Sequence, residues 1–306
     1  MLLVLALVLG IGLAACSDGD GTGAGRTTTT VTEAGSGAED GGVNSLAVDM
    51  KEYSYALSGQ LQAGTSTVSL KNSGAELHMA AFSLLKDGKT EADVQAALRS
   101  EDDSALESVV EAQLDAPGTV LSPGRSEKVT TDLLGAGTYA IICFIPTAGE
   151  SAPIPHAAKG MLATFTVAPG AVEGKAARPD AEYTIDDGRN DGPPTLKAGE
   201  NALRMTSAGA GPHEFIVARK STPSTTYDDI DTFFTDLFES DKAPPTGYAD
   251  TAPGIIAASS FDVATGKTIL VTVDLEPGDY LIGCALPGEE EGDKDHTGEM
   301  LEVKVT

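Results

Sequence analysis

The sequence predicts an all-β protein made of two similar domains, and three observations support this. The 306-residue chain is rich in glycine (35) and proline (16), which suits a turn-rich β protein. Many of its apolar segments alternate apolar and polar residues, the pattern of half-buried strands. A series of segments in the first half recurs in the same order in the second half, which indicates a domain duplication. A hydrophobic content of 41% is enough for two cores.

The chain begins with a short apolar run, MLLVLALVLGIGLAA, followed by Cys16. The run is too short for a permanent membrane-spanning helix. The letters LAAC at residues 13–16 resemble the bacterial lipobox, which implies a signal peptide at 1–16, lipid attachment to Cys16 and a membrane anchor on the extracytoplasmic face. No Lys or Arg precedes the run, so an ordinary signal peptide with a chance cysteine is the alternative. Residues 17–44, rich in Gly, Thr, Ser and Ala, predict a disordered tether.

The first predicted domain covers residues 45–168. The letters AVDMKEYSYAL alternate as in one strand, and LQAGTSTVSLKNSG adds a turn and a further strand. Residues 90–115 change to helical spacing, and Thr90 with Asp93 fits a capping box. We therefore expect a short helical insert, followed by a return to strands that LATFTV closes.

The second predicted domain covers residues 181–306, after a Pro-, Gly- and charge-rich linker at 169–180. LKAGENALRMTSAG matches LQAGTSTVSLKNSG, and KTILVTVDLEPGDYLIGCAL matches SEKVTTDLLGAGTYAIICFI. Thr226 and Asp229 predict a second capping box at the start of a matching helical insert.

The residues with metal-ligand chemistry are confined to matching places in the two copies. They include all four His residues of the chain and both Cys residues that follow the N-terminal signal. Residues used only for packing or solubility would not be restricted in this way, so the pattern indicates a functional site in each copy. The first set is His78, Cys143, His156 and Met161; the second set is His213, Cys284, His296 and Met300.

This order, one His and then Cys, His and Met late in the domain, resembles that of the cupredoxins. The strand pattern before His78 and the Gly-x-Tyr-x-x-x-Cys pattern that ends at Cys143 and Cys284 are also similar to that family. The resemblance implies two Greek-key cupredoxin-like β-sandwiches in tandem. It implies one copper ion in each, held by two His nitrogens, a Cys thiolate and a weak axial Met, a ligand mixture that suits both oxidation states. Electron transfer or copper handling would follow, with a redox or copper-donor protein as partner.

The chain departs from the family between the Cys and the second His. Only a few residues usually separate them, whereas twelve residues (144–155) follow Cys143 and eleven (285–295) follow Cys284 before the next His. A longer loop raises the closure entropy slowly, and we expect it to hold the ligands less rigidly. A metal-free binding or structural lipoprotein that keeps the fold is therefore the alternative function.

Charge and motif content exclude other classes of function. The net charge is −26, with 46 acidic against 20 basic residues, and such a field repels nucleic acid. The sequence has no GxSxG, HExxH or Walker motif, and it has no His beyond the two sets. We therefore expect neither a nucleic-acid partner nor an enzyme.

Overall fold

The computed structural model describes residues 44–100, 102, 104–111, 118–174, 177–187, 189–284 and 300–306. Within these residues the chain forms seventeen strands and two short α-helices, which confirms the all-β prediction with helical inserts. Cys16, nearly all of the predicted tether and His296 lie outside the described residues. No helix in the described part of the chain is long and apolar enough to cross a membrane.

Eight strands and one α-helix, α1, form the first half. They are β1 (Ser45–Lys51), β2 (Ser54–Gly64), β3 (Ser66–Asn72), β4 (His78–Leu84), α1 (Glu91–Ala97), β5 (Thr119–Leu121), β6 (Ser126–Thr131), β7 (Gly137–Ile142) and β8 (Leu162–Val172). Two 3-10 helices, Leu106–Ser108 and His156–Lys159, lie in the connections.

Nine strands and a longer helix, α2, form the second half. They are β9 (Ala181–Asp186), β10 (Arg189–Asp191), β11 (Thr195–Leu196), β12 (Gly199–Ser207), β13 (His213–Lys220), α2 (Tyr227–Glu239), β14 (Gly254–Val263), β15 (Thr268–Leu275), β16 (Gly278–Gly283) and β17 (Leu301–Val305). A 3-10 helix, Tyr248–Thr251, lies between α2 and β14.

The second half repeats the strand pairing of the first. β1 pairs with β2 (antiparallel) and β3 (parallel), as β9 pairs with β10 and β12. β4 lies between β5 and β7, as β13 lies between β14 and β16. β3–β6 and β7–β8 correspond to β12–β15 and β16–β17, and the parallel pair β2–β8 corresponds to β11–β17. The topology therefore agrees with the internal repeat seen in the sequence.

Alternating apolar residues build the core as the strand patterns predict. On β1, Leu46, Val48 and Met50 are buried while the intervening side chains are more exposed. Val68 and Leu70 on the neighbouring β3 are buried as well. Each fully buried side chain of this size stabilises the fold by about 1.5–3 kcal/mol.

Two local features differ from their predictions. The alternation in AVDMKEYSYAL predicted one strand, but β1 ends at Lys51 and a two-residue turn, Glu52–Tyr53, reverses the chain into β2. Alternation alone does not reveal this turn, because it contains no Gly, Pro or Asn, and Tyr53 adopts a left-handed φ of 59°. β8 continues to Val172, inside the segment predicted as linker, because its backbone pairs with Gly64 of β2.

Both predicted capping boxes are confirmed. The Thr90 side chain accepts a hydrogen bond from the Asp93 N–H, and the Asp93 carboxylate accepts one from the Thr90 N–H. Thr226 and Asp229 make the same reciprocal pair at the start of α2. Each box satisfies backbone donors that the first turn of a helix leaves without partners.

The two halves are joined by a continuous sheet. β15 of the second half pairs antiparallel with β6 of the first, with Val271 opposite Val129. Twelve strands thereby form one sheet in the order β10-β9-β12-β15-β6-β3-β1-β2-β8-β7-β4-β5. Glu276 adds ion pairs to Arg125 at 3.0 Å and to Arg219 at 2.6 Å.

A buried polar seam crosses the same junction. The Ser259 N–H donates to Glu127 Oε2 at 3.1 Å, and the Val120 N–H donates to Ser259 Oγ at 2.7 Å. Glu127 is 2% exposed. Burial raises the pKa of Glu127 to about 8, while hydrogen bonds from Thr119 and Ser259 lower it slightly. The carboxyl is therefore protonated in the folded protein at neutral pH.

Candidate metal centre

Neighbouring elements of the first half carry the four residues of the first set. His78 begins β4, and Cys143 follows the adjacent antiparallel strand β7. His156 begins a 3-10 helix, and Met161 directly precedes β8. All four residues are fully buried. The structure thus brings His78, Cys143 and His156 together, and it places the backbone of Met161 next to two of them.

Three ligand atoms converge on one point. His78 Nδ1 lies 3.2 Å from His156 Nδ1, and Cys143 Sγ lies 3.5 Å from the same His156 atom. The three donors are all within 4.8 Å of one another. Metal–nitrogen bonds of about 2.0 Å and metal–sulfur bonds of about 2.3 Å put trigonal ligand atoms about 3.5 Å apart. One metal ion therefore fits between these residues.

Carboxylates face the outer nitrogen of each imidazole. Glu76 Oε2 lies 3.1 Å from His156 Nε2, and Glu52 Oε1 lies 3.5 Å from His78 Nε2. The Glu76 carboxylate favours a proton on Nε2 of His156, which leaves a lone pair on His156 Nδ1. His78 Nε2 makes no hydrogen bond of ordinary geometry in the described part of the chain, so Glu52 does not fix the tautomer of that ring. Either a proton on His78 Nδ1 or a cation can therefore lie between the two Nδ1 atoms, which are 3.2 Å apart.

The protonation states also suit metal ligands. Burial and, to a smaller extent, the neighbouring His156 lower the pKa of His78 to about 4. Burial likewise lowers the pKa of His156 to about 4, so both rings are neutral near pH 7. Burial raises the pKa of the Cys143 thiol to about 12, so binding of a metal as thiolate must release a proton.

The long connection between Cys143 and His156 is an ordered hairpin. The Ala157 N–H donates to the Cys143 carbonyl at 2.9 Å, and the His156 N–H donates to the Ile145 carbonyl at 2.8 Å. Farther out, the Thr147 N–H donates to the Ile154 carbonyl at 2.7 Å. These bonds close the loop at its base, and the extra residues extend outwards.

Backbone hydrogen bonds connect Met161 to the base of this hairpin. Its N–H donates to the His156 carbonyl at 3.0 Å, and its carbonyl accepts from the Cys143 N–H at 3.3 Å. Gly160 has a left-handed φ of 112°, which allows the chain to end the 3-10 helix and turn into Met161. The backbone thus fixes Met161 beside two of the three converging residues.

Two tyrosines that the sequence analysis did not single out support the site. The Tyr53 ring contacts the His156 ring edge-on, with centroids 5.1 Å apart. The Tyr55 hydroxyl donates to the Met79 carbonyl and lies near Cys143, whose sulfur accepts the Met79 N–H at 3.3 Å. The turn at Glu52–Tyr53 places these side chains, and only the folded structure reveals it.

The second set is only partly described. His213 is buried, and its Nε2 lies 2.7 Å from the Ala208 carbonyl oxygen. Cys284 and Met300 are also buried. A Cβ added to Gly283 would lie 2.9 Å from Met300 Cγ, so Met300 packs against the residue that precedes Cys284. His296 lies outside the described residues.

The carboxylate behind the first histidine is repeated, and sequence reasoning missed it. Glu52 directly follows β1, and Asp187 directly follows β9. Asp187 Oδ1 lies 3.4 Å from His213 Nε2, much as Glu52 lies near His78. Each carboxylate also accepts a backbone N–H from the segment before its histidine. An acidic residue immediately after the first strand of each copy is the signal that could have identified the pair.

Comparisons with solved structures find copper proteins. A structure of auracyanin B is 18% identical over 43% of this chain and 93% of that chain, with a TM-score of 0.29. Dithionite-reduced auracyanin from the photosynthetic bacterium Roseiflexus castenholzii is 25% identical over 42% of this chain and 100% of that chain, with a TM-score of 0.27. The blue copper oxidase of Nitrosomonas europaea is 13% identical over 86% of each chain, with a TM-score of 0.23. No protein-family model and no curated protein matches the chain.

Proposed function

We propose that the protein is a membrane-anchored, extracytoplasmic copper-binding protein for electron transfer or copper handling. The observation that carries the proposal is the approach of two imidazole Nδ1 atoms and one thiol within a fully buried pocket. A single Cys or His in a core is commonly structural. Three converging donors with carboxylates behind both rings are the arrangement of a metal site.

The residues of the first half would have different roles in holding the copper ion. His78, His156 and Cys143 would hold the ion, and Met161 would be an additional, weaker ligand. Copper supplies one-electron chemistry when bound, and the mixture of imidazole and thiolate suits both of its oxidation states. Glu76 would hold the outer ring proton of His156, which fixes the orientation of that ring and raises its basicity, and Glu52 lies 3.5 Å from Nε2 of His78.

The second half is proposed to hold a second copper ion. The repeat places His213, Cys284 and Met300 in equivalent positions of the same topology, and His296 completes the set in the sequence. The Asp187–His213 pair supports the proposal, because it repeats the Glu52–His78 pair. One copper ion would then be bound by each predicted domain, 45–168 and 181–306.

The N-terminal sequence is the basis for the proposed cellular location. Lipid attachment at Cys16 would hold the protein at the outer face of a bacterial cell membrane, and residues 17–44 would serve as the tether. A redox protein or a copper donor is the partner that such a site requires. Neither a nucleic-acid partner nor an enzymatic activity is part of the proposal.

Metal analysis of the full-length protein extracted from its native membrane tests the proposal. We expect copper in the protein, and an intense visible absorption from thiolate-to-copper charge transfer. Cys143→Ser should remove the contribution of the first site, and Cys284→Ser, the matched variant, should remove that of the second. A metal-free protein that neither shows this band with Cu(II) nor binds Cu(I) tightly would favour the metal-free surface module.

A further inference from the structure

The cover over the first site comes from the other half of the chain. Residues 241–252 connect α2 to β14, and the tip of the Cys143–His156 hairpin contacts them. The Gly149 N–H donates to the Pro244 carbonyl at 2.8 Å. A Cβ at Gly149 would lie only 2.8 Å from Thr246 Oγ1, so the two segments are in close contact.

Tyr248 lies at the centre of this cover. It is 4% exposed, and its ring stacks on Phe233 of α2 with centroids 6.2 Å apart. Its hydroxyl is buried and lies at the backbone of Leu77, the residue between Glu76 and His78. Burial raises the pKa of Tyr248. The connecting segment of the second half therefore reaches the residues that directly precede His78.

We propose that residues 241–252 form a cap that closes the first metal site, with Tyr248 as its positioning residue. The inference rests on the proposed copper function and assigns the second half a role in it. The Tyr248 ring excludes water from the ligands, and its hydroxyl positions the backbone of Leu77, the residue between Glu76 and His78. The continuous sheet through β6 and β15 holds the cap in a fixed position relative to the site. Copper ions and small reagents reach Cys143 only when the cap opens.

Alkylation of the metal-free, full-length protein with iodoacetamide tests the cap without any copper. Mass spectrometry measures labelling of Cys143, and Cys284 in the same molecule serves as the internal reference. Tyr248→Ala should raise the rate of alkylation of Cys143, relative to that of Cys284, at least about tenfold. The reason is that the local opening that admits the reagent then requires less free energy. Tyr183→Ala is the matched control, since Tyr183 is also fully buried but lies on β9.

Two outcomes would overturn the cap. One is labelling of Cys143 in the wild type as fast as in Tyr248→Ala, and the other is an equal increase in Tyr183→Ala. If Tyr248→Ala does not fold, Phe233→Ala removes the ring on which Tyr248 stacks from a partly exposed helix face. It should raise the rate at Cys143 in the same direction, and an unchanged rate would contradict the proposal.

Tyr248→Phe separates positioning from coverage. It keeps the ring, so Cys143 should stay as protected as in the wild type, while the visible band and the electron paramagnetic resonance signal of the copper-loaded protein should shift. An unchanged spectrum would contradict the positioning role. Protected Cys143 in a protein that binds no copper would overturn the proposed function and leave the cap intact, so the two failures are distinguishable.

Discussion

The two halves share one topology but surround their first histidine differently. In the first half, His78 and His156 each have a carboxylate at the outer nitrogen. In the second half, the outer nitrogen of His213 lies 2.7 Å from the Ala208 carbonyl and 3.4 Å from Asp187. A carboxylate raises the basicity of a ligating imidazole more than a neutral carbonyl does. The two halves therefore share the fold, the order of these residues and a carboxylate near the first histidine, and they differ in the Ala208 carbonyl that lies at the outer nitrogen of His213.

Removal of a ligand from each half should have the largest effect and tests whether the halves are equivalent. We expect His156→Ala to lower copper affinity at the first site by more than about a hundredfold, because loss of a ligand exceeds the loss of an outer partner. His213→Ala should do the same at the second site. Isothermal titration with Cu(II) measures both, and two independent losses of one copper each are expected. Full stoichiometry in both variants would contradict the assignment.

Glu127 tests whether the two halves are stabilised by their junction. The pKa of its carboxyl is about 8 in the folded protein and near 4.5 when unfolded, so the folded state binds the extra proton between these values. This contribution to stability is complete below about pH 4.5 and is lost as pH rises towards 8. Glu127→Gln keeps the hydrogen-bonding shape without the charge. At pH 9 it should raise the free energy of unfolding by a few kcal/mol, on the order expected for such a shift.

Urea unfolding at pH 6 and pH 9 measures this difference between the wild type and Glu127→Gln. Glu200→Gln on the exposed surface of β12 is the control and should change stability little at either pH. The expectation would be contradicted if the difference in the free energy of unfolding between Glu127→Gln and the wild type were the same at both pH values.

Glu52 and Asp187, the carboxylates near the outer nitrogen of the first histidine, allow a direct comparison between the halves. Glu52→Gln should lower copper affinity at the first site about 10–100-fold, because His78 loses the negative charge that lies 3.5 Å from its outer nitrogen. Asp187→Asn should have a smaller effect at the second site, below about tenfold, because the Ala208 carbonyl still accepts the outer ring proton of His213. Copper titration of each variant in a background that lacks the other thiol measures both. Equal losses would mean that the two environments act alike.

The smallest expected effect concerns the two helical inserts. Thr90→Ala and Thr226→Ala should each destabilise the protein by about 1 kcal/mol, because each removes one capping box. Thr226→Ala should be the more costly change, since α2 buries Ile230 and Leu237 and carries Phe233 under Tyr248, whereas α1 buries only Val94. Thermal unfolding measures both. A larger loss in Thr90→Ala would reverse this ranking.

The parts of the fold that depend on local chemistry were predictable. Both capping boxes involve residues three apart, and strands such as β3 and β12 follow the alternation of their side chains. The turn at Glu52–Tyr53 was not predictable, because no residue there carries a turn signal. The closure of the loop after Cys143 was not predictable either, since loop length says nothing of the hydrogen bond between Cys143 and Ala157 at its base.

By itself, the sequence determined the β class, the duplicated order of segments and the set His78, Cys143, His156 and Met161, because periodicity, turn chemistry and residue type are local properties. The tertiary structure decided how these residues meet, through pairing between β4 and β7 and the hairpin that follows. It alone revealed that Glu52 and Glu76 lie near the outer nitrogens of the histidines and that Tyr248 from the other half lies at the backbone of Leu77. Such contacts join residues far apart in the chain, and their geometry depends on the packing of the whole molecule.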